Sequence, residues 1–144
     1  MTRHDPLGNF QFRVEIDGLQ VAAFSEVSIA PTITEVIEYR DGNEPGHVRK
    51  LPGLTKFGNV TLKRGVTASL ELVNWHLQVV RGQIAAARKQ VVIVVLDAAF
   101  HDIARFVVTD AWPVKYDPGD LNASGNEVFI ELLELVNEGI ERVS

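Results

Sequence analysis

Between Phe10 and Ile16 apolar and polar side chains alternate without error, with Phe10, Phe12, Val14 and Ile16 on one side and Gln11, Arg13 and Glu15 on the other. Period two marks a half-buried strand. Asp17-Gly18 follows, then LQVAAFSEV, so the pair predicts a hairpin whose turn places both central residues at positive φ. TITEVIEYR (32–40) mixes β-branched residues with glutamates and reads as a third strand. DGNEPGHVRKLPG (41–53) is dense in turn formers and reads as a long excursion. NVTLKR (59–64) then returns to strand chemistry.

The period changes after that. Leu70, Val73, Leu77, Val80 and Ile84 recur at helical spacing, with Thr67 or Ser69 available as the cap and Gly82 near the end. Trp75 and His76 within this helix read as packing residues. VVIVVL (91–96) is short and β-branched, which suits a strand buried on both faces. In ARFVVTDAWPVKY (104–116), Phe106, Val108, Trp112, Val114 and Tyr116 share one parity and Asp110 breaks it. Pro113 cannot donate to a ladder, so this strand lies at an edge or bulges there. NEVFIELLELVNEG (126–139), behind the turn cluster DPGDLNASGN, is ambiguous between helix and strand. We read it as a strand in which a bulge accommodates the charges at 131 and 134. The expected fold is mainly β: about six strands and one α-helix in one domain spanning residues 1–144.

Composition narrows the chemistry. The 144 residues suffice for one domain with its own core. Cysteine is absent, which removes disulfides, thiolate metal sites and thiol nucleophiles together. Nineteen acidic residues against 14 basic ones give a net charge of −5, which opposes a nucleic-acid-binding role. The start, MTRHDPLGNFQF, has no signal-peptide core, and the longest apolar runs are too short or too polar to span a bilayer. His4, His47, His76 and His101 stand at no metal-ligand spacing. No Gly-x-Ser-x-Gly elbow, phosphate-binding glycine motif or complete calcium loop occurs. No recognisable catalytic constellation is present, and no cofactor is expected. Arg49, Lys50, Lys56, Lys63 and Arg64 would make a phosphate patch, were it not for Leu51, Leu54 and Phe57 among them. A stretch that apolar and that long reads as one that docks on a neighbouring subunit.

RKLPGLTKFGNVTLKRGVT, taken with TEVIEYRDGNEP before it, a Trp-containing helix, Trp112-Pro113, DLNA (120–123) and NEVFIELLEL after it, resembles the phage tail-tube family. The resemblance runs from about residue 5 to 142 and is nearer to the inner-tube proteins of phage-tail-like contractile injection systems. It implies a small β-barrel or sandwich with one flanking helix. Six copies would close as a ring, and rings would stack into a hollow tube inside a sheath. The implied partners are further copies of the chain, a sheath protein, baseplate and tube-terminator proteins, and cargo or DNA in the lumen, without stable membrane insertion. Assembly would take place in the bacterial cytoplasm and the product would be a virion or an extracellular particle. A tube initiator at the baseplate, a ring-forming effector carrier of type VI secretion, and a small enzyme or ligand-binding barrel are the alternative readings.

By the same resemblance, residues 41–58 form an arm to a neighbouring subunit. Its candidate contacts are Arg49, Lys50, Leu51, Pro52, Leu54, Lys56 and Phe57. The outward members of the strands at 32–40, 59–64 and 126–136 are the lumen candidates: Glu35 or Glu38, Lys63, and Glu131 or Glu134. A wall that cargo slides past must be polar without attracting one kind of content.

Overall fold

A computed structural model describes residues 10–40, 42, 46–65, 69–119 and 130–144. Strands β1 (Gln11–Ile16) and β2 (Leu19–Phe24) form the expected hairpin, with Asp17 and Gly18 at φ 51 and 80. One residue, Ser25, separates β2 from β3 (Glu26–Ile29), and its N–H donates to the Lys63 carbonyl at 2.9 Å. The long excursion is shorter than its composition indicates. β4 (Ile33–Tyr39) pairs with β5 (Arg49–Lys56), and the two form a separate antiparallel ribbon.

β6 (Val60–Gly65), helix α1 (Glu71–Val80), one short turn of helix α2 (Ile84–Ala87) and β7 (Lys89–Leu96) come next. β8 (Asp102–Asp117), β9 (Ile130–Val136) and β10 (Gly139–Arg142) complete the chain. Ten strands thus replace the expected six among the described residues. The break at Ser25, β5 and the C-terminal β10 account for three of the additional strands. Thr67, the DLNA run at 120–123 and positions 126–129 of the last expected strand lie outside the described residues.

The main sheet runs β2-β1-β7-β8-β9-β6-β3, with β10 on β8. β8 carries 16 residues, pairing with β7 and β10 in its first part and with β9 in its second. It turns from one layer to the other at Asp110, a non-glycine at φ 50, and slips again between Pro113 and Lys115. The expected bulge at Pro113 is there, in the part of β8 that pairs with β9 alone. Each slip flips the side-chain parity. Val108, Ala111 and Pro113 consequently face the core, while Val114, expected among the apolar set, is exposed. Since β2 runs on into β3 across Ser25, strands that bend between layers join the two layers at both corners.

Val14, Ile93, Val108, Leu62, Leu133 and Leu135 fill the space between the layers. β7 is buried on both faces as expected: Val91 and Ile93 point to the core, and Val94 is buried on the opposite side, in register with Arg13 and Arg105. Phe10 precedes β1 and is exposed. Helix α1 docks through the face that periodicity did not select. Leu72, Trp75 and Val79 pack on the core, whereas Leu70 and Val80 are exposed. Trp75 is the expected packing residue, and its indole N–H also donates to the Ala87 carbonyl at 2.6 Å, fastening α1 to α2. Ser69 precedes the N-cap position, Leu70, and its hydroxyl lies 3.4 Å from the Glu71 N–H.

Candidate assembly surfaces

The β4–β5 ribbon is an arm. Its strands pair with each other, and all seven residues of β4 are exposed, as are seven of the eight in β5. Exposed Ile33, Val36, Ile37, Tyr39, Leu51 and Leu54 line it. Only Gly53 is partly covered, because Glu35 and Ile37 crowd it: a Cβ there would lie 3.1 Å from either side chain. Thr34 and Thr55 share a hydrogen bond of 2.9 Å across the strands. At the root the backbone of Gly58 passes Ala30 so closely that a Cβ on it would meet the Ala30 carbonyl oxygen at 2.4 Å. Glycine is therefore obligatory where the arm leaves the body.

The ribbon begins at Ile33, so the third expected strand is part of it and pairs outside the main sheet. Glu35 and Glu38, expected on the wall of the body, lie on the arm. Arg49, Lys50, Leu51, Pro52, Leu54 and Lys56 all lie on β5 and are exposed. Phe57 is half-buried at the root, beside Pro31 and Ile33.

The lumen candidates separate by parity. On β6 and β9 the core-facing residues are Val60, Leu62 and Arg64, and Glu131, Leu133 and Leu135. Glu131 is 3 % exposed and is no wall residue. No bulge interrupts the β6–β9 register there; the carboxylate occupies a core position because Arg64 stands opposite it. Arg64 Nε donates to Glu131 Oε1 at 2.6 Å, and the Tyr116 hydroxyl donates to Oε2 at 2.7 Å. The guanidinium also lies 5.4 Å from the centre of the Phe24 ring. Burial, then the bond to Glu131 and its charge, push the Tyr116 hydroxyl up to about 12. This network lies in the core between the layers, and it leaves the two terminal guanidinium nitrogens of Arg64 buried without a hydrogen-bond partner among the described residues.

Lys63 and Glu134 do point outward. Lys63 lies 3.5 Å from Glu26, and Glu134 accepts a bond of 2.8 Å from Asn59. Lys115 is paired with Glu134 in the β8–β9 register. The outer face of β3, β6, β9 and the second part of β8 therefore alternates in charge sign. Sequence reasoning missed Arg64 as the partner of Glu131. The available signal was an arginine at core parity in NVTLKR.

The family described as T4-like virus tail tube protein gp19 matches residues 8–141. Among curated protein sequences none matches the chain. A chain in the sheath–tube complex of the PVC extracellular contractile injection system, extended state, is similar over 96 % of this protein and 92 % of its own length, at 23 % identity and a TM-score of 0.76. A chain in the anti-feeding prophage baseplate structure is 24 % identical, over 99 % of this protein and 97 % of its own length, with a TM-score of 0.70. Hcp1 from Salmonella typhimurium is 15 % identical, over 94 % of this protein and 86 % of its own length, with a TM-score of 0.53. At these identities the likeness is one of fold. Among the described residues no helix is long and apolar enough to cross a membrane.

Proposed function

Because the chain belongs to the T4-like tail tube protein family, we propose that it is a subunit of the hollow inner tube of a contractile tail or injection particle. Copies close as hexameric rings, and rings stack inside a sheath between a baseplate and a terminator. The observation that carries this reading is the arm: a ribbon of apolar side chains left exposed by the described residues of its own protomer. Such a surface is buried only by a neighbour. Arg49, Lys50, Leu51, Pro52, Leu54, Lys56 and Phe57 supply the contact, and the arm spans about residues 33–58.

The wall of the lumen is the outer face that bears Lys63 and Glu134. Its alternating signs favour neither anionic nor cationic contents, whether DNA or a protein cargo. The subunit performs no catalysis. It assembles in the bacterial cytoplasm and leaves within the particle. Negative-stain microscopy of purified protein tests the reading: rings, or tubes at higher concentration, are the expected result. Monomers at every concentration and salt condition overturn it.

A further inference from the structure

Leu19 and Leu54 are the two most exposed large apolar side chains among the described residues, each 74 % accessible. Both stand beside an apolar hollow. Leu19 leaves the β1–β2 turn at a hollow of about 220 Å3, floored by Ile16, Val21 and Trp75. Carboxylates of Asp17 and Glu71 mark its rim, and Lys89 at the same rim is held by Asp17 at 3.6 Å. Leu54 stands at the hollow of about 540 Å3 in the root of the arm, walled by Pro31, Ile33 and Phe57, with both Glu35 and Lys56 in its lining. A slip in the β4–β5 register between Thr34 and Val36 sets Leu54 out of the regular pairing.

The two hollows share no lining residue, and both leucines are left in water. A contact in which each leucine fills the other's hollow joins unlike surfaces of two copies, head to tail. Contacts of that kind close as rings or continue as stacks.

Resting on the tube reading, we infer that the arm root of one copy receives the β1–β2 turn of a second copy. Leu19 enters the hollow at the arm root, and Leu54 enters the hollow beside Trp75. Lys56 then faces Glu71, so a cation at one rim meets the acidic rim of the other. Each hollow is filled by the leucine that its counterpart leaves in water.

The chain has no cysteine, which makes the contact directly testable. Assembled Leu19→Cys/Leu54→Cys protein treated with a short bis-maleimide should give a ladder of linked multimers on denaturing gels. A Phe100→Cys/Leu54→Cys control should remain unlinked. Assembly without the 19–54 ladder overturns the inference and leaves the tube reading standing. Wild-type protein that never assembles overturns the tube reading, and the inference with it. Should the cysteine variant fail to assemble, charge exchange decides. Glu71→Lys and Lys56→Glu should each raise the concentration for half-assembly by roughly fivefold, and the double variant should restore it. Singles without effect, or a double that restores nothing while melting normally, overturn the pairing.

Discussion

Strand β9 buries Glu131, Leu133 and Leu135 in alternation, whereas strand β4, of the same seven-residue length, buries nothing. Both are built from similar material, apolar residues interleaved with glutamates. β9 lies between β6 and β8 over a packed core, and among the described residues β4 has only β5 beside it. An isolated two-stranded ribbon is marginally stable in water at best. Charge divides the same way. Residues 33–56 hold four cations and four carboxylates, leaving 10 cations against 15 carboxylates elsewhere, so the whole −5 falls outside the arm. The body is stabilised by its own core, and the arm by whatever covers it. Changes in the two regions should accordingly appear in different experiments.

The largest effect is expected in the arm. Leu51→Ser with Leu54→Ser removes two buried leucines from the assembled contact, at about 1.5–3 kcal/mol each. Assembly should then require a concentration at least about a hundredfold higher. The body should melt within about 0.5 kcal/mol of wild type, as exposed positions do. Circular dichroism and microscopy together check this, and an unfolded variant would merge the arm with the body. Next comes the buried pair. Glu131→Leu strands Arg64 in the core and should destabilise folding by about 3–5 kcal/mol. Arg64→Met added to it should recover most of that loss in a denaturant titration. A Glu131→Leu variant as stable as wild type would deny the pair its place in the core.

Tyr116 gives a smaller effect with a definite sign. Its folded-state value of about 12 lies above the ordinary 10, so the folded chain holds this proton more tightly than the unfolded one. The resulting stabilisation is complete below pH 10 and is lost as pH rises towards about 12. Tyr116→Phe should flatten that alkaline slope and lower stability at neutral pH by about 1–2 kcal/mol. An unchanged slope would take the hydroxyl away from Glu131. The smallest effect belongs to Lys63→Glu, which opposes Glu26 on the outer face and should cost less than about 1 kcal/mol. Rings should still form while loading of charged cargo changes. Loss of folding would instead place Lys63 in an essential contact.

Much of the body was legible in the order of residues. Phe12 to Ile16, the Asp17-Gly18 turn and Val91 to Leu96 form the elements that their alternation predicts, because one rule governs each. Where two rules compete, the reading failed. The helix is apolar on two sides, and Leu70, Val73, Leu77 and Val80 satisfy the same period as Leu72, Trp75 and Val79. Only the position of the sheets decides which side docks. Glu131 looked like a surface residue because a carboxylate by itself belongs in water, and its partner Arg64 is 67 residues away. β5 was hidden by Pro52, Gly53 and its cations, all poor strand formers, and it is a strand only because β4 meets its backbone. An assembly surface leaves a weaker trace still: leucines among lysines, with no period to betray them.

The pairing of Gln11 with Leu96 bears on how the chain is made. During synthesis the first strand has no central neighbour until the ribosome has passed residue 96, whereas the arm is a local hairpin that closes within microseconds. The adhesive part of the subunit is thus finished while the body still exposes an open strand edge. Non-local pairing of this kind is slow, and incomplete chains with exposed apolar surface aggregate. Slower translation or lower temperature during expression should therefore increase the yield of native protein, with the crowding of nascent chains setting the limit.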